Sequence, residues 1–392
     1  ARKVFLSPCS GSGNRGSGNR RSGNRGSGNR VYIETLHLRP QNLQELSAYM
    51  RGLGQPAYRA RQLFHALHKL GISDIMAISD LPLDLRERLQ AEHPLFTPRI
   101  VSRRLSARGD TAKLLLELAD GERVEMALML YRRDKARDRA TCCLSSQSGC
   151  AMGCAFCASG IYGRPRNLSA GEIIAQAQLG RELARGLGFD GISNIVYMGM
   201  GEPLLNAEAV RRSIEVINHA DGLEIGARRI TVSTCGIVPE IYRMADWGLQ
   251  VGLAISLHSA DDAQRKLLMP GAARWSIAEL TAAAEYYQQT TGRRVTYEYA
   301  LFAGLNDSDG AARALAALLT DSRILVNIIP ANAVPERGVS PPAPERMAAF
   351  CRILEQAGIN IQQREKRGGD IEAACGQLRR RMEDDDSCRS PD

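Results

Sequence analysis

The stretch SAGEIIAQAQLGRELARGLGFDGISNIVYMGMGEP, residues 169–203, contains in one run the pattern that decides the fold. Up to Gly188 its apolar residues recur at helical spacing; from Ile192 a β-rich run, ISNIVYMG, ends in the polar, glycine-rich MGMGEP. Further strand candidates follow: RRITVST (228–234), LQVGLAISLH (249–258), RRVTYEYAL (293–301) and ILVNIIP (324–330). Helical patterns such as NAEAVRRSIEVINHA (206–220) and GAARALAALLTD (310–321) separate them. This alternation predicts an α/β fold with parallel strands and outer helices, a barrel or part of one. Chemistry in such barrels collects at the C-terminal strand ends. The polar motifs MGMGEP, STCG, SLHS, NDS and PAN each follow a strand run.

Upstream, TAKLLLELADGERVEMALML (111–130) is two β-rich runs around a DG turn, the signal of a hairpin, and basic YRRDKARDR (131–139) leads out of it. NLQELSAYMRGLG (42–54) and AYRARQLFHALHKLG (57–71) read as helices closing with glycine, and SDLPLDLRERL as a helix capped by Ser79 or Asp80. His65 and His68 lie three apart on one helix without an acidic or cysteine partner nearby, so an ordinary helix face is expected there rather than a metal site. Residues 11–30 are four GSGNR-like units with five arginines and no apolar side chain, the composition of a flexible basic tail. The expected divisions are a low-complexity tail (1–30), a helical module (31–96), a β-hairpin extension (97–138), the barrel with its C-terminal loop (139–380) and a charged tail (381–392).

A chain of 392 residues with 44% hydrophobic content buries a sizeable core. It has no apolar run of membrane-spanning length and no signal-peptide core in ARKVFLSPCS, which predicts a cytoplasmic protein without a membrane partner; Ala1 leaves the natural start open. The net charge of +8 fits an anionic partner, nucleic acid first, although solubility alone also accounts for it.

Five of the ten cysteines fall in CCLSSQSGCAMGCAFC, residues 142–157. A disulfide framework is out of place in a cytosolic chain of this size, and structural zinc normally takes two ligand pairs, of which no second follows. Cys150, Cys154 and Cys157 form C-x3-C-x2-C with Phe156 before the last. Three thiolates leave one iron of a cubane open to a small molecule. This spacing resembles the signature of radical S-adenosylmethionine enzymes. Gly201 and Glu202 in MGMGEP offer a close backbone approach and an acceptor for the cofactor's ammonium group. Ser233, Ser256, Leu257, His258 and Asn332 add groups on later strand ends. Cys143 and Cys375 stay outside the cluster motif, Cys142 alternates with Cys143 and points away, and Cys235 and Cys351 read as small buried hydrophobes.

Together CCLSSQSGCAMGCAFC, GRPRNLSAGEI, MGMGEPLLN, RRITVST with GIVP, AISLHS, NDS and GGDIEAACGQL resemble the RlmN/Cfr family of radical S-adenosylmethionine RNA methyltransferases, in order from about residue 40 to 380. The resemblance implies a partial (β/α)6 barrel, a [4Fe-4S] cluster on Cys150, Cys154 and Cys157, and two molecules of S-adenosylmethionine per turnover. It implies that Gly201, Glu202, Ser233, Ser256, Leu257, His258 and Asn332 contact that cofactor. Cys375 would take a methyl group from the first molecule, and a radical made from the second would activate it for addition to an adenine carbon. Glu125 in RVEMA matches the general base; Cys143 would attack Cys375 sulfur, release the product and leave a disulfide for a flavodoxin or thioredoxin-like reductant.

The implied substrate is carbon 2 of an adenosine in 23S ribosomal RNA, and for many members also the tRNA adenosine after the anticodon, with the enzyme a monomer. Pro203 favours carbon 2 over the carbon-8, antibiotic-resistance branch; Cys235 departs from the family's usual Ser, Val or Ile. Basic runs at Arg132-Arg133, Arg164 to Arg166, Arg293-Arg294 and Arg364 to Arg367 fit RNA phosphate, and an aromatic content of 5% favours structured RNA over a stacking platform. The alternative from another class is a radical enzyme on a peptide or small metabolite; an auxiliary cluster for it would need more C-terminal cysteines than Cys375 and Cys388.

Overall fold

The structure, a computed structural model, describes residues 38–39, 41–132, 137–160, 165–319, 324–331, 338–364 and 371. Cys375, Asn332 and both tails lie outside the described residues.

The N-terminal part is helical. Helix α1 (Leu43–Gly52) starts in a capping box between Asn42 and Glu45. Helix α2 (Ala57–His65) runs on into a π-helical turn, Ala66–Leu70, that Gly71 stops at φ 75°. Helix α3 (Leu83–Glu92) begins after Pro82 and has no side-chain cap. Neither Ser79 nor Asp80 caps it, because Leu81 and Pro82 intervene and Pro82 starts the helix by its own fixed φ. The core of this part is Leu46, Met50, Leu63, Phe64, Leu67 and Leu85.

His68 is part of that core rather than of an open helix face, its ring 4.5 Å from that of Phe64 and both ring nitrogens without a hydrogen bond. Burial, with Arg39 and Arg181 nearby, pushes its pKa down to about 3. Below about pH 6.5 the unfolded chain takes up a proton that the folded chain refuses until about pH 3. Stability is therefore expected to fall with pH over that window, by up to about 1.4 kcal/mol per pH unit from this one group. Melting followed from pH 7 to 5 checks it; a His68→Leu variant with an unchanged slope would contradict the assignment.

The ten strands among the described residues form one sheet in chain order. Strands β1 (Arg99–Leu105), β2 (Thr111–Glu117) and β3 (Arg123–Tyr131) are an antiparallel meander, and β3 also pairs antiparallel with β4 (Arg139–Cys143). The expected hairpin is present as β2–β3, but it is no separate extension: backbone pairing through β4 makes it continuous with the barrel sheet. From β4 the pairing is parallel through β5 (Asn194–Tyr197), β6 (Ile230–Thr234), β7 (Gly252–Ser256), β8 (Val295–Leu301) and β9 (Leu325–Pro330), with β10 (Ile361–Gln363) added at the edge. Helices α4 (Ala170–Gly186), α5 (Ala207–Asn218), α6 (Val238–Ala245), α7 (Asp262–Leu268), α8 (Ile277–Thr291), α9 (Asp309–Leu318) and α10 (Pro344–Gln356) fill the crossovers. Six consecutive parallel strands with helices between them are the predicted α/β partial (β/α)6 barrel.

Register settles which side chains face the interior. Cys142 meets α4, where a Cβ on Gly180 would stand 2.6 Å from its sulfur, and the Tyr197 hydroxyl bonds Ser213 of α5 at 2.7 Å. Cys142 pairs with Ile195, so these residues mark the helix-facing side, and their strand neighbours face inward. The inner rows are then Cys143 and Thr231; Ser233 and Ala254; and Ser256, Glu298 and Asn327.

Candidate active site

At the C-terminal end of β4 the chain turns into the loop that carries the three motif cysteines. Cys150 N–H donates to the Ser159 carbonyl, Ala155 N–H to Leu268 and Gly271 N–H to Met152, which fasten the loop to the end of α7. Gly271 is required there, since a Cβ would stand 2.7 Å from the Met152 carbonyl oxygen. The ring of Phe156 stands edge-on to His258 at 4.9 Å and tilted against Phe302 at 5.0 Å, joining the cysteine loop to the ends of β7 and β8.

Cys150, Cys154 and Cys157 are all free and half-buried. Burial pushes the Cys150 thiol up to about 11, with Cys157 and Glu202 adding to it; Cys154 rises further for the same reason, with Cys157 and Cys150 as the next contributors. Among the described residues no three His, Cys, Asp or Glu side chains converge on a single metal-ion position. The donor set is three thiols within electrostatic reach of one another in one loop. That suits three separate irons of a cluster, whose positive charge would replace the protons that burial otherwise holds on.

The glycine-rich loop after β5 lies over the start of the loop after β4. A Cβ on Gly199 would be 2.6 Å from Ser145 Oγ, and one on Gly201, at φ 99°, 2.6 Å from Gln147 Cβ. The close approach these glycines permit is thus first of all to the chain's own loop, a use that the reading of MGMGEP as a ligand-approach motif missed. Glu202 is buried and already engaged: Oε1 accepts from Leu204 N–H at 3.0 Å and Oε2 from Cys235 N–H at 2.7 Å. A carboxylate has further lone pairs for an ammonium donor. Burial raises its pKa while these N–H groups oppose the shift. Cys235, the family departure, meets Glu202 both through its backbone N–H and through its thiol.

Ser233 and Ser256 stand on the inner face, and Leu257 is fully buried. His258 takes φ 57°; its Nδ1 accepts from Ala300 N–H at 2.9 Å and its carbonyl from Asn306 Nδ2 at 2.8 Å. Burial holds its pKa at about 3, so the ring is a neutral, fixed wall.

Glu125 of β3 lies beside Ser145, whose hydroxyl donates to the Glu125 carbonyl, and its carboxylate pairs with Lys113 Nζ at 3.2 Å, both side chains buried. In the register Lys113 lies opposite Ala127 and Ala127 opposite Cys143, so the ion pair and the Cys143 thiol share one face at the barrel mouth. Burial pushes Cys143 up to about 11, against the opposing charges of Arg364 and Lys113. Breaking such a buried pair costs about 3–5 kcal/mol.

Three contributors were not visible as site residues in the sequence. Lys113 is one. Glu298 is the second: buried on the inner face, its Oε1 accepts from Asn327 Nδ2 at 2.8 Å, while Glu298 Oε2 and Asn327 Oδ1 have no hydrogen bond and Arg364 stands 3.8 Å away. Arg265 is the third, a fully buried guanidinium that donates to the Cys235 and Ala272 carbonyls beneath the cysteine loop. Of the basic runs, Arg132 is engaged with Asp138 and the Leu187 and Gly188 carbonyls, and Arg166 with Glu172 and Asp120. No disulfide joins the described cysteines; the expected Cys143–Cys375 pair involves a residue outside them. No described helix is long and apolar enough to cross a membrane.

Comparison with known proteins agrees with this geometry. The family described as the Radical SAM superfamily matches residues 144–315, and that described as the ribosomal RNA large subunit methyltransferase N-terminal domain matches residues 36–94. A probable dual-specificity RNA methyltransferase RlmN from Moorella thermoacetica is 49% identical over 348 residues, 88% of this chain and 97% of the relative. The dual-specificity RNA methyltransferase RlmN of Sorangium cellulosum is 43% identical over 86% of this chain and 93% of its own length. The crystal structure of a radical SAM methyltransferase from Sphaerobacter thermophilus superposes with a TM-score of 0.81 at 44% identity, covering 87% of this chain and 98% of that one. The superfamily implies a [4Fe-4S] cluster and S-adenosylmethionine, which the donor set of the cysteine loop fits. With relatives at 43–49% identity covering 86–88% of its sequence and nearly the whole of their own, the chain belongs to the RlmN family of radical S-adenosylmethionine RNA methyltransferases.

Proposed function

We propose that the protein methylates carbon 2 of an adenosine in 23S ribosomal RNA and of the tRNA adenosine after the anticodon, through a methyl group carried on Cys375. The observation that carries this reading is the buried face shared by Cys143, Glu125 and Lys113 at the mouth that also bears the cysteine loop. The name of the relatives, dual-specificity RNA methyltransferase, supports two RNA substrates, and Pro203 in MGMGEP supports carbon 2.

Carbon 2 of adenine has no lone pair with which to attack a sulfonium methyl group, so polar displacement alone does not methylate it. When bound, the cluster held by Cys150, Cys154 and Cys157 and two molecules of S-adenosylmethionine supply the methyl group and the one-electron chemistry that such a carbon requires. Gly201, Glu202, Ser233, Ser256, Leu257, His258 and Asn332 hold and orient the cofactor. Cys375 as thiolate accepts the methyl group and then carries its carbon into a bond with the adenine. Glu125, kept in place by Lys113, receives the proton that leaves carbon 2. Cys143 as thiolate then attacks Cys375 sulfur: the S–S bond forms, the carbon–sulfur bond breaks with its electron pair going to the product's methylene carbon, that carbon takes up a proton to become the methyl group, and two electrons from a flavodoxin or thioredoxin-like reductant reopen the disulfide. The helical part at 41–95 contributes to holding the RNA.

Anaerobic reconstitution with cluster, cofactor and reductant, followed by mass spectrometry of digested ribosomal RNA and tRNA, is expected to show 2-methyladenosine from both. 8-Methyladenosine would move the protein to the carbon-8 branch, and no methylated adenosine would refute the reading.

A further inference from the structure

At the end of the barrel opposite to the cysteine loop lies a second polar site. A cavity of about 640 Å³ opens where Asp138 precedes β4, Ser193 precedes β5 and Arg229 precedes β6, that is, at the N-terminal ends of parallel strands whose C-terminal ends carry the chemistry. Its lining includes five cations, Lys69, Arg137, Arg181, Arg185 and Arg229.

The three carboxylates in the lining are already paired: Glu224 with Lys69, Asp190 with Arg137 at 3.3 Å, and Asp138 with Arg132 at 2.9 Å. Among the described residues none is within ion-pair distance of Arg181, Arg185 or Arg229. Arg181 decides the argument. Its side chain is only 6% exposed, its Nη1 donates to the Lys69 carbonyl at 3.0 Å, and its buried Nε has no partner. Glu182 is felt electrostatically but is outweighed by burial and by Arg185. The neighbouring backbone is trimmed to glycine: a Cβ on Gly71 would stand 3.0 Å from Arg181 Nη2, and one on Gly191, at φ 128°, 3.2 Å from Arg181 Cγ.

A guanidinium buried beside a cavity without a counter-ion is destabilising unless an anion completes it. The fixed fork of a guanidinium pairs best with carboxylate or phosphate, and the open volume exceeds what one small anion fills. We propose that this cavity binds a phosphate group, with Arg181, Arg185 and Arg229 as its ligands. A phosphodiester of bound RNA and a free phosphate offer the same chemistry. Lys69 belongs to the segment that matches the ribosomal RNA methyltransferase N-terminal domain, which favours the RNA strand as the source.

The test uses the full chain and an Arg185→Gln/Arg229→Gln double variant, both side chains being exposed and outside the core. Arg243→Gln, on the outer surface of α6, serves as the control. Inorganic phosphate added at constant ionic strength is expected to raise the melting temperature of the wild type and of the control but not of the double variant. Filter binding of a tRNA transcript across a potassium chloride series is expected to lose about one unit of log–log salt slope per arginine removed. Loss of both effects assigns the site to RNA phosphate. Loss of the phosphate effect with an unchanged RNA slope assigns it to free phosphate. A wild type that phosphate does not stabilise, or a double variant indistinguishable from it in both assays, overturns the proposal. An Arg181→Lys variant, which keeps charge but loses the fork, should bind phosphate more weakly than wild type. None of these readouts requires methylation, so failure here and failure of the proposed activity are separable.

Discussion

Replacing Cys143 by alanine is expected to trap the protein on its RNA. The variant still builds the carbon bridge from Cys375 to the adenine but has no sulfur to open it. On a denaturing gel a protein–RNA band should appear under single-turnover conditions and be absent from the wild type, while free methylated RNA falls by about three orders of magnitude. Cys143 is half-buried on the inner face, so its loss leaves little cavity and the fold intact. Burial pushes its thiol up to about 11. Because the attacking species is the thiolate, resolution of the adduct in the wild type should accelerate about tenfold per pH unit between pH 7 and 9. A variant that turns over without a shifted band would show that another group opens the bridge.

Replacing Cys375 by alanine should be equally severe at an earlier step. No methyl group is then stored on the protein, and 2-methyladenosine should drop by at least about three orders of magnitude. The three cluster thiols lie in a loop fastened to α7 and β4, far in sequence from Cys375, so the iron–sulfur absorption of the reconstituted variant should match that of the wild type. The informative pairing is methylation lost with the cluster kept. Normal methylation would remove Cys375 from the mechanism; a lost cluster would make it a ligand. Ile371, the one described residue of its segment, is buried.

Much of this architecture is local and therefore readable in one dimension. Strand–helix alternation and the DG turn are short-range patterns, and both appear in the structure as read. Alternation along β4 was enough to separate Cys142, turned onto α4, from Cys143 on the opposite face. Where the structure corrects or adds to that reading, the cause is a neighbour whose effect the motif itself does not display. The cap of α3 was misassigned because Pro82 starts that helix without a side-chain donor or acceptor. The glycines of MGMGEP, read as allowing a close approach to a ligand, also make room for Ser145 and Gln147. Arg132 and Arg166, read as fitting RNA phosphate, are also held by carboxylates and carbonyls that folding supplies.

By itself, then, the sequence determined the α/β barrel, the three-cysteine loop and the two additional thiols, because each depends on spacing within a strand, helix or loop. Only the tertiary structure decided that Lys113 pairs with Glu125 beside Cys143, that Glu298 and Asn327 face the same interior, and that Arg181, Arg185 and Arg229 share a cavity at the opposite end. Those groupings come from strand register and helix packing between separate elements. A buried charge is affordable only where register brings it a partner, and no periodicity along the chain records which residue that partner is.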